Sequence, residues 1–304
     1  MANLAQIFLK LSRDDFAVLK GIEAGMRTHE WVPLADVARI SGLAPDKAEY
    51  RLRFLSNLKV VSKETIHYLG YQMDFEAYDI LALSDLADRN IVASIGDRIG
   101  VGKESVVYEA LGKGSNTLAI KFHREGRTSF KHVRRVREHL KDGSRCAWIH
   151  AARRAARYEF SVMTGLYPQV SIPRPVALSR HAIAMELIHG NQLNQVNLSN
   201  PNECLDIILD EVSAAYSLGV IHADLSEYNV IVRGEEIKII DWPQAVKIDH
   251  PNTSELLERD LTNILRFFAR KYKIDYALKD ALDKVGMKSE IEDRTKEQTA
   301  REVS

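Results

Sequence analysis

The chain lacks the features that would place it in an oxidising compartment or in a bilayer. It has two cysteines in 304 residues, Cys146 and Cys204. They lie far apart without metal-like spacing, which argues against a disulfide scaffold and a zinc site. No apolar run approaches the roughly 20 residues that span a bilayer. Met1 to Lys10 lacks the basic-then-apolar layout of a secretory signal. A cytoplasmic protein with no membrane contact is therefore expected. Net charge is absent too, with 42 Lys/Arg against 42 Asp/Glu. What remains is ordinary for a soluble globular chain: 45% apolar and 28% charged residues. The length suits two modest domains or one large one.

The balance of charge hides a block. From His123 to Arg157 there are eleven Lys/Arg and three acids, a surplus of +8, with four histidines interspersed. Such a block reads either as a solvated, mobile face or as a polyanion contact, most simply RNA phosphates.

Residues 1–84 read as a small helical domain ending in a hairpin. Apolar residues at 16, 18, 19 and 22 give a helical period over Asp14 to Glu23. Pro33 to Ile40 forms a second helix, Ser41-Gly42 breaks it, and Pro45 starts a third that runs to about Asn57. Val60-Val61 and Tyr68 to Met73 then flank a polar turn. Helix, short turn, helix and hairpin together predict a winged helix. Its third helix offers Lys47, Arg51 and Arg53 with acids between them, and the region through Asp85 holds ten Lys/Arg against twelve Asp/Glu. Protein contact, or RNA contact within a larger surface, fits that balance at least as well as sequence-specific DNA binding.

Asp85 to Asn90 is a polar helix end and a domain boundary, after which the pattern alternates. Strands are expected at 93–100, 105–111 and 117–123, then a long helical region from Phe130 to Tyr167 ended by Pro168, Pro173 and Pro175. A strand over 182–187, a helix over about 201–218 and another over 254–272 follow. The chain from about Leu278 reads as a charged, frayed tail. The expected division is 1–84, then 85–275 in two lobes (about 91–187 and 190–275), then a tail over 276–304.

The densest chemistry lies in Ile221-His222-Ala223-Asp224-Leu225-Ser226-Glu227-Tyr228-Asn229, with Ile239-Ile240-Asp241-Trp242-Pro243 following. This is H-x-D-x-x-x-x-N and then a strand ending in Asp. Phosphoryl transfer from a Mg-nucleotide needs such a set: one Asp to accept or orient the attacking hydroxyl, and an Asn and an Asp to hold the metal. Asp and Asn also collect in turns for local reasons, so the motif alone leaves both readings open.

Other parts stand in a matching order. Gly100-Val101-Gly102-Lys103-Glu104-Ser105 lies between two strands, where glycines let consecutive amides approach phosphate oxygens. It is not a Walker A loop, because Asp97 stands where the first Gly belongs and Glu104 follows the Lys. Lys121 sits in the apolar strand Ala119-Ile120-Lys121-Phe122. It either faces solvent or, if buried, needs a phosphate or carboxylate partner. Glu159 projects among Ala155, Ala156, Val162 and Met163 and is the natural carboxylate for Lys121, or else an ordinary exposed Glu. Met185-Glu186-Leu187-Ile188 joins the two halves. It either offers main-chain groups of Glu186 and Ile188 to an adenine edge or is a plain edge strand.

The ordered set resembles the RIO family of atypical protein kinases over roughly residues 1–275, and the winged helix points to its second subfamily. Gly102-Lys103-Glu104-Ser105, Ala119 to Arg124, His222 to Asn229 and Ile240-Asp241-Trp242-Pro243-Gln244 carry the resemblance. It implies an α+β chain, an N-terminal winged helix followed by a bilobal kinase-like domain. It implies Asp224 as the catalytic Asp, and Asn229 and Asp241 as holders of Mg²⁺ or Mn²⁺. Lys121 with Glu159, together with Gly100, Gly102, Lys103, Glu104 and Ser105, would serve the phosphates of ATP, and Met185 would border the adenine. Asp241 is also implied as a phosphoryl acceptor during ATP hydrolysis. Arg124 to Ala147 falls at a mobile loop of the family, with Thr128 and Ser129 as self-phosphorylation sites. A compact chain with a short tail favours an archaeal source.

Ala223 replaces the Arg of H-R-D, Trp242-Pro243 replaces Phe-Gly, and no A-P-E segment follows. The platform that binds peptide substrates is therefore absent, while the nucleotide chemistry does not depend on it. The leading expectation is a serine/threonine kinase or ATPase in small ribosomal subunit maturation, partnered by rRNA and ribosomal proteins of the precursor. A small-molecule kinase of the aminoglycoside-kinase type is the alternative, but gives no reason for the winged helix or the +8 block. A nucleic-acid binder with a degenerate kinase domain is the third, and the occupied catalytic positions argue against it.

Overall fold

A computed structural model describes residues 4–65, 68–114, 116–124 and 147–287. The chain divides into two compact units, Met1–Arg157 with Val176–Glu186, and Tyr158–Pro175 with Leu187–Ser304.

The first unit opens with α1 (Leu4–Phe8) and α2 (Arg13–Gly25). Ser12 caps α2. Its hydroxyl accepts the Asp15 N–H at 3.4 Å while the Asp15 carboxylate accepts the Ser12 N–H at 2.8 Å. β1 (Val32–Pro33), α3 (Leu34–Ser41) and α4 (Pro45–Asn57) follow. Gly42 ends α3 in the left-handed region at φ 70°, where glycine has no Cβ to clash, and Pro45 starts α4 with a preset φ. β2 (Val61–Glu64) and β3 (Gly70–Met73) complete an antiparallel sheet of order β1-β3-β2. This is the expected winged helix.

It does not end with the hairpin. α5 (Phe75–Asp88) follows, burying Ala77 to Leu83 and Leu86, so the expected boundary at residues 84 and 85 lies inside a helix. β4 (Val92–Val101), β5 (Ser105–Gly112), β6 (Thr117–His123), β7 (Pro175–Ser179) and β8 (Ala182–Glu186) make a sheet of order β4-β5-β6-β8-β7. One hydrophobic core runs from Leu19, Ile22 and Leu52 through Tyr78 and Leu81 to Ile120, Phe122 and Ala184. The N-terminal helices and the five-stranded sheet thus share one continuous hydrophobic core. α6 (Ala147–Leu166) occupies the later part of the expected long helix, and 130–146 lie outside the described residues, as do Thr128 and Ser129.

The second unit is helical with short strands: β9 (Asn191–Gln192), α7 (Pro201–Ser217), β10 (Val220–Ile221), β11 (Val230–Arg233), β12 (Glu236–Ile239), β13 (Val246–Lys247), α8 (Thr253–Tyr272) and α9 (Leu278–Val285). The strands form β12-β11-β9 and β10-β13. α9 corrects the expectation of a frayed end at Leu278. It buries Ala281, Leu282 and Val285 and packs with α7 and α8. Cys204 is a free, buried thiol. Among the described residues no helix is long and apolar enough to cross a membrane.

Candidate active site

In the first unit the glycine hairpin joins β4 to β5. Gly100 pairs with Val107, and Gly102 N–H donates to Ser105 O at 2.9 Å, closing the turn. Strands on both sides fit the exclusion of a Walker A loop. Lys103 and Glu104 are exposed at the tip, and Ser105 begins β5. The Arg124 N–H donates to Glu104 O at 2.6 Å, tying the tip to the end of β6. Lys121 stands in β6 between Val107 and Ile183 and is 5% exposed. Of the two readings open for Lys121, the buried one holds. Met185 and Glu186 close β8 opposite Ala119 and Leu118.

Arg124 opens the basic block, which reads as a solvated face or a polyanion contact, but its side chain is 6% exposed. Its guanidinium forks onto the Asp79 carboxylate of α5, with Nη1 2.8 Å from Oδ1 and Nη2 on Oδ2. His181 Nε2 meets the same Oδ1 at 2.8 Å, and its ring stacks on Tyr78 at 4.4 Å. Burial pushes the His181 ring down to about 4, against the pull of Asp79. The ring is neutral at neutral pH, so the buried charge is a one-to-one pair of Arg124 and Asp79.

In the second unit the H-x-D loop runs from β10 to β11. His222 is buried with its ring 4.5 Å from that of Trp242, and Nε2 lies 3.0 Å from the Ile240 carbonyl, to which it donates. Burial lowers its pKa, with the carbonyl and the nearby carboxylates of Asp241, Asp224 and Glu159 opposing. Ala223 at φ 61° and Asp241 at φ 71° are left-handed, and neither is glycine. Each conformation costs about 1–2 kcal/mol and persists only where its surroundings over-determine it.

For Ala223 the surroundings do so from α8. Asp260, 1% exposed, accepts the N–H of Ala223 at 2.7 Å and of Leu225 at 2.9 Å. The Asn263 carboxamide donates to Leu225 O at 3.1 Å, and Arg259 donates to Ala223 O. Four backbone groups flanking Asp224 are therefore held by one helix. Asn229 Nδ2 donates to Asp224 O at 2.9 Å, and Asn229 O accepts the Ile240 N–H at 2.9 Å. Glu159, 1% exposed, accepts the Trp242 N–H at 3.0 Å. It is thus tied to the residue after Asp241, a partner not foreseen, and it is not an ordinary surface Glu.

In the second unit Asn229 is bonded to the Asp224 and Ile240 backbone and Glu159 to that of Trp242, so bonds hold the residues on either side of Asp241. Ile188 is half-buried after β8. Lys121, Met185, Glu186 and the glycine hairpin belong to the first unit. The sequence reading missed Asp260, Asn263 and Arg259. A signal for Asp260 existed: it stands on the buried stripe of α8 with Leu257, Leu261 and Ile264, where an acid needs hydrogen-bond donors.

Among the described residues no cluster of three His, Cys, Asp or Glu side chains could hold a metal alone. Mg²⁺ does not require one. It takes one or two protein oxygens and completes its shell with water and phosphate. The exposed Asp241 carboxylate and the Asn229 carbonyl oxygen, whose amide nitrogen is already committed to Asp224 O, are a hard-oxygen pair that fits it.

A family model for the RIO domain matches residues 106–281, and one for the Rio2 N-terminal domain matches residues 8–89. The chain is 38% identical over 257 residues to the RIO-type serine/threonine-protein kinase Rio2 of Methanocaldococcus jannaschii, covering 82% of this chain and 94% of that one. It is 36% identical to the serine/threonine-protein kinase RIO2 of Saccharomyces cerevisiae, covering 87% and 65%. It spans about half of the Dictyostelium discoideum relative, at 34% identity over 86% of this chain and 51% of that one. Among solved structures, the ADP/Mg²⁺-phosphoaspartate complex of the Rio2 kinase from Chaetomium thermophilum superposes with a TM-score of 0.80 at 31% identity, over 94% of this chain and 90% of that one.

Proposed function

The chain belongs to the RIO family of atypical serine/threonine kinases, in its Rio2 branch, and on that premise we propose that it is an ATP-dependent assembly factor of the small ribosomal subunit, working in the cytoplasm on the subunit precursor. The observation that carries its chemistry is the strained loop around Asp224, gripped at four backbone groups by α8 and followed by a left-handed Asp241.

In the transfer mode Asp224 accepts the proton of a Ser or Thr hydroxyl as that oxygen bonds to the γ-phosphorus. The bond to the β–γ bridging oxygen breaks and ADP leaves. In the hydrolytic mode an Asp241 oxygen bonds to the γ-phosphorus with the same loss of ADP. Water then attacks the phosphorus, the Asp241 oxygen–phosphorus bond breaks, and phosphate is released with the proton of the water. The phosphoaspartate complex of the Chaetomium relative supports this second mode. Asn229 and Asp241 would hold Mg²⁺ or Mn²⁺, which when bound would supply positive charge to the transferring group. Lys121 and the backbone of Gly100 to Ser105 take phosphate oxygens, and Met185 to Ile188 line the adenine. Glu159 acts on Asp241 through the Trp242 N–H. An aminoglycoside-kinase-type reading leaves the N-terminal domain without a purpose.

Single turnover with γ-labelled ATP and Mg²⁺ tests the assignment in wild type, Asp224→Ala and Asp241→Ala. Phosphate released through a hydroxylamine-labile adduct that disappears in Asp241→Ala supports the hydrolytic mode. Stable label on Ser or Thr that disappears in Asp224→Ala supports the transfer mode. Wild-type turnover in both variants would overturn the site.

A further inference from the structure

The ribosomal reading leaves open which surface meets RNA, and two helices among the described residues are cationic. The first is α4, the third helix of the winged domain. Its cations are spent internally. Lys47 Nζ is 2.8 Å from the Asp14 carboxylate, and Arg53 is 2.6 Å from Glu49. Arg51 is half-buried, 3.7 Å from Asp14 and 3.8 Å from Asp15, with its guanidinium 5.4 Å from the Tyr50 ring centroid. Each phosphate contact there would compete with an existing pair, which at the surface is a weak one.

The second is α6. His150, Arg154 and Arg157 are all exposed. At 3.6 residues per turn they fall within an arc of about 60°, spaced about 6 and 4.5 Å along the axis. Neither arginine has an acidic partner among the described residues. The only acid of α6, Glu159, lies on the opposite side by the same period and is buried. Beside the stripe Tyr158 is 41% exposed, with its hydroxyl donating to Ala245 O at 2.7 Å, and no large apolar side chain is exposed from residue 148 to 157. One tyrosine, its hydroxyl already engaged, falls short of the anchor cluster that a protein interface or a membrane surface needs. Exposed cations in a row, without an acidic partner among the described residues and with a single tyrosine beside them, suit a backbone of phosphates read without regard to sequence.

We propose that the exposed face of α6 carrying Arg154 and Arg157, and not the recognition helix of the winged domain, is the RNA-phosphate contact surface of this protein. The proposal rests on the ribosomal-precursor reading and deepens it.

The test is binding of the full chain to a short oligouridylate and to a small-subunit rRNA fragment across a salt series. Wild type, Arg154→Gln/Arg157→Gln and Lys47→Gln/Arg53→Gln are compared, with turnover of ATP alone as a check that each variant is folded. The α6 pair should lower the log–log salt slope by about 1.4–1.8, two phosphate contacts at 0.7–0.9 each, and leave ATP turnover unchanged. The α4 pair should leave the slope unchanged. The opposite pattern sinks the surface assignment while the ribosomal reading stands. Wild type that binds neither RNA in low salt sinks both. An α6 pair that loses binding to anionic vesicles, while RNA binding is intact in every variant, assigns the stripe to a lipid surface and overturns the proposal.

Discussion

Replacing Asp260 by Asn should separate the stability of the fold from the chemistry of the loop it holds. Burial pushes the Asp260 carboxyl up to about 6, against two N–H donors and the neighbouring Arg259. An acid whose pKa rises on folding contributes stability that is complete below its unfolded value of 3.8 and is lost as pH climbs through 6. By that rise, keeping the charge costs the folded state about 3 kcal/mol at neutral pH. Asparagine removes the cost. It still accepts one N–H, but its own amide meets the other as donor against donor, at about 1–3 kcal/mol. The two effects offset, so the Tm of Asp260→Asn at neutral pH should lie within a few degrees of wild type.

Turnover should not survive as well. With one N–H released, Ala223 is free to leave the left-handed region, and Asp224 moves with it. A misplacement on the order of 1 Å costs about 100-fold in rate. Single-turnover transfer from γ-labelled ATP should therefore fall about 100-fold, with nucleotide affinity little changed. In wild type the rate should also drop as pH falls through about 6, because a protonated Asp260 has one acceptor fewer for the two N–H groups. Asp260→Asn should lack that limb. Thermal unfolding in the same buffers should show the stability difference moving in favour of the variant between acid and neutral pH. A variant that turns over at the wild-type rate would refute the reasoning outright. So would one that loses rate only in proportion to a large fall in Tm.

Three further outcomes follow from the same contacts. His181, lowered to about 4 by burial, contributes stability that is complete above its unfolded value of 6.5 and is lost as pH falls through 4. That amounts to about 3 kcal/mol, and the rise of Tm between those pH values should flatten in His181→Asn. Glu159→Gln keeps an oxygen for the Trp242 N–H, whereas Glu159→Ala leaves that buried donor without it. Urea midpoints should show the alanine variant less stable by about 1–3 kcal/mol than the glutamine one. A Cβ at Gly190 would lie 2.6 Å from Ile231 Cγ2 and 2.7 Å from Val232 O. Gly190→Ala should destabilise the protein by about 1–3 kcal/mol by pushing the chain off β11, and an unchanged urea midpoint would show that the backbone gives way freely there.

Local punctuation made much of the fold readable from sequence. Ser12, Gly42 and Pro45 mark helix ends by hydrogen bonding or by φ, so α2, α3 and α4 were bounded closely. The turn residues before Thr117 fixed β6 to the residue. Of α5 only the end was read, at Asp85 to Asn90, because the helix is buried on nearly every side and so shows no apolar stripe against a polar one. β7 escaped because Pro173 and Pro175 read as breakers, although a proline is tolerated as the first residue of a strand. α9 was hidden by its charges, since its eight residues carry three buried side chains and no more.

The site divides along a different line. Asp224, Asn229 and Asp241 are close in sequence at fixed spacing, so their chemistry was legible. The groups that hold them are not close. Asp260, Arg259 and Asn263 stand 35 to 38 residues from the backbone they grip, and Glu159 is 83 residues from Trp242. No local pattern links such pairs; only the buried position of an acid on an apolar stripe hints that a partner must exist. Charge counting fails for the same reason. Arg124 opens the basic run in sequence yet is consumed by Asp79, and the cations of α4 are consumed by Asp14, Asp15 and Glu49. A cation is available to a ligand only after its pairs within the fold are subtracted. Within the described part of the basic block that subtraction removes Arg124 and leaves Arg154 and Arg157, which the sequence total could not distinguish from it.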